Sequence, residues 1–153
     1  MKIKGDKKKC PAQVYLERIK WLDVLIDSNT EELAKLDSVA KRITPVLNTT
    51  GAGGSGNPDR HGDAIAKIID LQREISRDNA EFVALRREAG ELLKRITKPE
   101  QYQVLRKRYM LYKSFEDIAV EMQYSYRQIC NIHGRALQAF EKVLEEHKRR
   151  NKE

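Results

Sequence analysis

Hydrophobic residues in the first two thirds of the chain recur at spacings that alternate between four and three positions. Two segments show this pattern, one beginning at Tyr15 and the other at Ala64. The first consists of Tyr15, Ile19, Leu22, Ile26, Asn29, Leu33, Leu36, Ala40 and Ile43, and the second of Ala64, Ile68, Leu71, Ile75, Asp78, Phe82, Leu85, Ala89, Leu92 and Ile96. A mean spacing of about 3.5 residues is typical of a coiled-coil seam, so each segment is predicted to form a long helix.

The two seams match each other when the helices are placed antiparallel. Residue numbers at facing positions then add to 107, as they do for Leu36 and Leu71. The only polar seam residues, Asn29 and Asp78, face each other in the same register. A buried polar pair commonly fixes the register of a coiled coil, so we predict an antiparallel helical hairpin over residues 11–97.

A stretch without hydrophobic periodicity separates the two helices. Residues 45–62 read PVLNTTGAGGSGNPDRHG and are rich in glycine, which predicts a flexible connector. Pro45 is predicted to end the first helix, because proline disrupts a helix interior. Residues 1–10 contain five lysines and one aspartate and are predicted to form a basic, flexible N-terminus.

Several large hydrophobic residues lie outside the seams, at one end of the predicted hairpin. They are Val14, Leu16, Trp21, Val24, Leu25, Val83 and Leu93. One interpretation is that the C-terminal segment packs against them. The other is that they form a self-association face, which would make the protein a homo-oligomer. The sequence leaves both interpretations open.

The C-terminal segment, residues 98–153, contains signals for three further helices. Pro99 suits the first turn of one helix. Ser114 and Ser125 each stand three residues before an acid or amide, which is the pattern of a capped helix start. Helical spacing directs one set of side chains inward, namely Phe115, Ile118, Ala119, Met122, Ile129, Ile132, Ala136, Leu137 and Phe140. The predicted fold class is therefore all-α, with a helix-turn-helix after the hairpin.

The stretch VLRKRYMLYKSFEDIAVEMQYSYRQICNIHGRALQAF resembles region 4 of the sigma-70 family. That family also has a Leu-Arg-x-Arg-Tyr-like helix, a Ser-x-x-acid-Ile-Ala helix start and a recognition helix. The chain as a whole resembles small phage and prophage proteins of Gram-positive bacteria, some of which regulate late phage transcription. The resemblance implies a recognition helix that enters the major groove of double-stranded DNA. The chain has no counterpart of sigma region 2, so a free-standing sigma factor is not expected.

The resemblance also implies which residues contact DNA. Four side chains at the start of the last helix would read bases: Tyr126, Arg127, Gln128 and Asn131. Six would contact phosphates: Lys113, Ser114, Arg135, Lys148, Arg149 and Arg150. Sigma factors carry mostly Arg, Glu and Gln where they read the −35 promoter element. Tyr126 and Cys130 depart from that pattern, so a different target sequence is expected.

Positive charge is concentrated at the two ends of the chain. The net charge is +7, of which residues 1–10 carry +4 and residues 97–153, with 12 basic and 8 acidic side chains, carry +4. The intervening residues are almost balanced, at −1. Basic ends are compatible with a nucleic-acid partner, but surface lysines are too common for charge alone to establish one.

Composition argues against membrane, secreted and catalytic proteins. No apolar run approaches the length of about 20 residues that spans a bilayer, and the N-terminal lysines precede no secretory signal. Two cysteines, Cys10 and Cys130, make no disulfide framework, which predicts a cytoplasmic protein. Cys130 and His133 have the spacing of half a zinc site without a second pair, and GAGGSG lacks the Gly-Lys-Ser/Thr of a phosphate loop. No catalytic residue, metal, cofactor or small-molecule substrate is expected.

Three functions remain open at this point. The first is a phage-type DNA-binding transcriptional regulator whose hairpin mediates self-association or contact with another protein. The second is the DNA-recognition subunit of a phage packaging terminase, which a ring-sized oligomer would favour. The third is an adaptor that binds RNA polymerase with the same surface and does not bind DNA.

Overall fold

The described part of the protein is built from five helices. The computed structural model describes the backbone of residues 8–49 and 58–153, and the side chains of residues 8–42 and 60–153. The helices are α1 (Pro11–Thr49), α2 (Pro58–Leu93), α3 (Pro99–Leu105), α4 (Phe115–Met122) and α5 (Tyr126–Lys152). Neither described range contains a strand, which confirms the all-α prediction.

The first two helices are longer than the sequence predicts. α1 continues through Pro45 to Thr49, so the prediction that Pro45 ends it is wrong. A proline removes one backbone hydrogen bond, and the many remaining bonds of a 39-residue helix tolerate that loss near its end. α2 begins at Pro58, where a proline's missing N–H is not needed. The predicted connector is therefore helical at both ends. Its middle, residues 50–57, lies outside the described residues, as do residues 1–7 of the predicted N-terminus.

The chain divides into two compact units. One, the C-terminal unit, comprises Met1–Trp21 and Val83–Glu153, and the other, the seam unit, comprises Leu22–Phe82. In residues 27–42 and 62–82 of the seam unit, only the predicted seam positions are shielded from solvent and every other side chain is exposed. The shielded residues are Asn29, Leu33, Leu36, Ala40, Ala64, Ile68, Leu71, Ile75, Asp78 and Phe82. Over these two ranges, partial burial thus follows the 3.5-residue period of the sequence.

The core of the C-terminal unit draws on all five helices. Its largest fully buried side chains are Leu16, Ile19, Leu92, Leu93, Val104, Leu105, Ile118, Ile129 and Phe140. Leu16 and Leu93 lie outside the seams, and their burial supports the first interpretation of these hydrophobic residues. Val14, Trp21 and Val83 are exposed instead, and the Trp21 side chain is 63% exposed. Part of the predicted hydrophobic end is therefore core and part is surface.

The last helix packs along most of its length within the C-terminal unit. The Phe140 ring lies 5.9 Å from the Tyr15 ring, measured between centroids. The Tyr15 hydroxyl donates a hydrogen bond to Glu88 Oε1 at 2.8 Å, and His147 Nε2 lies 3.7 Å from the same oxygen. α5 therefore reaches from the turn after α4 to the N-terminal turns of α1 and the C-terminal turns of α2.

A π-helical turn, Arg106–Met110, follows α3 directly. The N–H of Leu111 donates to the carbonyl of Arg106 at 3.2 Å, which closes a wider ring than an α-helical bond does. Tyr112 then adopts a left-handed backbone conformation, with φ of 57°. The hydrophobic pattern of the sequence predicts a regular helix here and does not reveal this turn.

Candidate nucleic-acid interface

Reciprocal hydrogen bonds fix the first turn of α5. The Ser125 hydroxyl accepts from the N–H of Gln128 at 3.2 Å, and the N–H of Ser125 donates to Gln128 Oε1 at 2.8 Å. Two backbone N–H groups that lack partners within the helix are thereby satisfied. The predicted capping box is confirmed. Because Gln128 Oε1 accepts the hydrogen bond from Ser125, this oxygen is already hydrogen-bonded in the free protein.

α4 and the turn after it are fixed in a similar way. The Ser114 hydroxyl accepts from the N–H of Asp117 at 3.1 Å and caps the start of α4, as predicted. Gln123 ends the helix with φ of 59°. The N–H of Tyr124 donates to the carbonyl of Ala119 at 3.0 Å, and the N–H of Gln123 donates to that of Val120 at 3.3 Å. Because both ends of the link are hydrogen-bonded, α4 and α5 are joined by a short, well-determined turn.

A small hydrophobic cluster holds α3, α4 and α5 together. Its buried members are Val104, Ile118, Ala119 and Ile129, and three partly buried residues pack against them: Phe115, Met122 and Ile132. The inward residues of α4 named from the sequence all belong to this cluster. Of the inward residues of α5, Ala136, Leu137 and Phe140 are buried elsewhere in the same unit. The cluster determines which face of α5 is turned outward.

The predicted base-reading residues all lie on the exposed side of the first turns of α5. Tyr126, Arg127, Gln128 and Asn131 are exposed, whereas Ile129 between them is fully buried. Arg135, one further turn along, is exposed as well. These five side chains are therefore presented together to solvent by one rigid, capped helix.

Tyr126 differs from its neighbours because its ring is held by the protein. The Tyr126 ring meets the Phe115 ring edge to face, with centroids 6.3 Å apart. A hydrogen bond between the Tyr126 hydroxyl and Cys130 raises the pKa of this phenol. Half of the side chain remains exposed. Tyr126 can thus offer a fixed aromatic edge, in contrast to the long, mobile chain of Arg127.

Sequence reasoning missed the side chains that surround Phe115. The Arg108 guanidinium lies 4.5 Å from the centroid of the Phe115 ring, and the His133 ring lies 4.9 Å from it. The Tyr109 hydroxyl and His133 Nε2 are 2.8 Å apart and hydrogen-bonded. Burial, assisted by the charge of Arg108, lowers the pKa of His133 to about 4. His133 is therefore neutral near pH 7 and acts as a packing and hydrogen-bonding residue behind the start of α5.

The predicted phosphate-contacting residues differ in how they are engaged: one is in an ion pair, one caps a helix, and four are exposed on α5. The Lys113 ammonium is paired with the Glu121 carboxylate, which also binds Lys107. Ser114 uses its hydroxyl as the α4 cap, and Arg135 is exposed on α5. The remaining three residues lie near the end of α5, where Lys148, Arg149 and Arg150 are all exposed.

The three terminal cations are distant from the base-reading turns. Arg149 follows Arg127 by 22 residues on the same helix, which corresponds to roughly 33 Å along its axis. The structure therefore does not bring Lys148, Arg149 and Arg150 together with Arg127 and Asn131. If the terminal cations contact a bound molecule, they do so about 33 Å along α5 from the turn that contains Arg127.

The cysteine and histidine near the start of α5 are engaged with tyrosines. Interaction with Cys130 raises the pKa of Tyr126, and His133 is hydrogen-bonded to Tyr109. Among the side chains described, those of residues 8–42 and 60–153, no group of three or more His, Cys, Asp or Glu is placed to hold a metal ion. Over the same part of the chain, no helix combines the length and apolarity needed to cross a membrane.

No protein-family model, curated protein or solved structure matches the chain. The geometry of α4, α5 and their surroundings is therefore the basis for a functional assignment.

Proposed function

We propose that the protein is a phage-type DNA-binding transcriptional regulator, in which α4 and α5 act as a helix-turn-helix of the sigma-70 region 4 kind. The observation that carries the proposal is the exposed first two turns of α5. A capped helix presents Arg127 and Asn131 on the side opposite buried Ile129. Arginine and asparagine side chains can each make paired hydrogen bonds to base edges in a major groove.

The charge along the outward face of α5 supports the same proposal. At 100° per residue, seven exposed residues of this helix lie within an arc of about 80°. They are Arg127, Asn131, Arg135, Gln138, Lys142, Glu145 and Arg149. Four of the seven are cations and one is an anion, so this face carries a net charge of +3. Arg135 and Lys142, the cations of this face nearest to Asn131, are the ones placed to contact phosphates beside the base-reading side chains. Arg149 would contact phosphates at a separate place.

The proposal includes an antiparallel coiled-coil hairpin formed by α1 and α2. Asn29 Nδ2 and Asp78 Oδ2 are both buried, and neither has a hydrogen-bond partner among the described residues. One is a donor and the other an acceptor, and leaving either unpaired in a seam is costly. In the register that sums to 107, each would be opposite the other. In the structure these two atoms do not bond each other, so we base the proposed register on the matching 3.5-residue seams, and we propose that the hairpin serves self-association or a protein partner.

A mutational comparison tests the DNA-binding proposal. Arg127→Ala and Asn131→Ala should each weaken binding to a selected DNA site by roughly 1–3 kcal/mol and leave binding to random DNA nearly unchanged. Replacing Lys148, Arg149 and Arg150 by Ala should weaken binding to all DNA alike. It should also reduce the salt slope by about 0.9 for each phosphate contact that is lost. The measurement is a fluorescence anisotropy titration with both DNAs at several salt concentrations.

Lys94→Ala provides the matched control. Lys94 is an exposed lysine just after α2, and it pairs with Glu91. Replacing it by Ala removes one positive charge, as replacing Lys148, Arg149 or Arg150 alone does. This variant should bind both DNAs like the parent. Folded Arg127→Ala and Asn131→Ala proteins that bound every DNA like the parent would exclude base reading by α5. An RNA polymerase adaptor would then be the better assignment.

A further inference from the structure

One carboxylate in the C-terminal unit holds two lysines from different segments. Glu121, near the end of α4, pairs with Lys107 in the π-helical turn and with Lys113 just before α4. The two ammonium groups lower the pKa of Glu121, the hydrogen bond from Lys107 being the largest cause. Glu121 is therefore a fixed anion between two cations.

The three side chains remain open to a ligand. Lys107, Lys113 and Glu121 keep 24%, 32% and 36% of their side-chain surface exposed. Lys107 and Glu121 also line a groove of about 750 Å³ between α3 and α4, together with Arg106. Exposed ion pairs are weak, so another anion can replace the carboxylate without a large penalty.

A phosphodiester is the anion that this arrangement suits. It carries one negative charge and two acceptor oxygens, as a carboxylate does, and two ammonium groups can hold it from both sides. Lys113 directly precedes Ser114 at the start of α4 and is one of the residues expected to contact DNA phosphate. In the free protein, Glu121 occupies the position that such a phosphate would take.

We propose that Glu121 is an internal competitor of DNA phosphate, which holds Lys107 and Lys113 and thereby keeps them from neutralising phosphates of bound DNA. The inference rests on the proposed DNA-binding function. Because the competition involves only phosphate, it lowers affinity for all DNA sequences equally and leaves the preference for sites contacted by Arg127 and Asn131 unchanged.

Glu121→Gln tests the competition, since glutamine keeps the shape of the side chain and removes its charge. The variant should bind both selected and random DNA more tightly than the parent, with a steeper salt dependence. At a slope of about 0.9 per phosphate contact, the loss of affinity between 50 and 200 mM salt should grow by about 3.5-fold for one released lysine. It should grow by about 12-fold if both lysines engage phosphates.

Glu91→Gln is the matched control, because it makes the same charge change and frees one exposed lysine, Lys94, just after α2. It should bind DNA with the parent's salt slope. Adding Lys107→Ala and Lys113→Ala to Glu121→Gln should abolish the gain. Denaturant unfolding of each variant checks that the fold is kept.

The possible outcomes separate the competition from the DNA binding on which it rests. If the parent binds DNA but Glu121→Gln shows no gain, or no more than Glu91→Gln, the competition is refuted and DNA binding stands. The competition is also refuted if Glu121→Gln binds more weakly, which would make Glu121 a purely structural tie. If neither parent nor variant binds DNA, the proposed function fails and the competition fails with it.

Discussion

The ring of Phe115 lies at the centre of the side chains behind the start of α5. Arg108 stacks on one part of it, and His133 and Tyr126 meet it edge to face. Of these four residues, the sequence identifies Phe115 as inward and Tyr126 as outward, because helical spacing determines both. It does not reveal that Arg108 and His133 contact the same ring, since that depends on how the π-helical turn approaches α5.

His133 leads to a prediction about pH. Its pKa is about 4 in the folded protein and 6.5 in an ordinary environment, mainly because burial disfavours the charged imidazole. Arg108 adds to this effect, whereas Glu17 opposes it, and Tyr109 is the hydrogen-bond partner. Between those two pH values the unfolded chain binds a proton that the folded chain does not. The free energy of unfolding should therefore fall as pH is lowered from 7 to 4.

Denaturant unfolding of the parent and of His133→Gln at several pH values checks this expectation. The substitution should remove much of the decline between pH 7 and 4 while costing stability at pH 7. His147→Gln is the control, and it should retain the decline because His133 is still present. An unchanged decline in His133→Gln would show that other groups cause it.

Helix starts are the elements that the sequence predicts best. Ser114, Ser125 and Pro99 each begin a helix in the structure, because capping depends on residues within one turn of each other. The predicted end of α1 at Pro45 is wrong, and the sequence does not predict the π-helical turn. Proline is a strong local signal that a long helix can override, and a π-helical turn has no local signal in the hydrophobic pattern.

The helix ends around the turn between α4 and α5 allow a direct stability test. Ser125→Ala should lower the free energy of unfolding by about 1 kcal/mol, because the N–H of Gln128 loses its acceptor. Gln123→Gly should raise it by about 1 kcal/mol, because glycine adopts the left-handed conformation at this position without strain. Both are measured by urea unfolding.

Ser38→Ala is the comparison for the cap. The Ser38 hydroxyl bonds back to the carbonyl of Ala34 inside α1, so it satisfies no free helix end. This change should alter stability by only a few tenths of a kcal/mol. A loss at Ser125 no larger than that at Ser38 would mean that the capping box contributes little.

At the scale of the whole molecule, the proposed antiparallel register of α1 and α2 predicts a specific crosslink between the two helices. With Cys10 and Cys130 replaced by Ser, cysteines introduced at Leu36 and Leu71 should form a disulfide within one chain. The proposed register places these two positions opposite each other, and a disulfide forms where the Cα separation is about 4.4–6.8 Å. Non-reducing gel electrophoresis after mild oxidation measures the product.

The control places one cysteine at Lys35, which is exposed and outside the seam, and the other at Leu71. This pair should crosslink much more slowly. A product that links Leu36→Cys of one chain to Leu36→Cys of another, without an intrachain bond, would mean that the helices pair between molecules.

A single helix, α5, contains both the exposed turns at Arg127 and the buried turn at Leu144. The two residues are 17 positions apart, or roughly 26 Å along the axis. A tilt of about 5° at Leu144 would therefore move Arg127 by about 2 Å, whereas hydrogen-bond lengths vary by only about 0.5 Å. Repacking around Tyr15, Phe140 and Glu88 that tilted α5 would therefore be amplified into a larger displacement of the exposed side chains at the start of this helix.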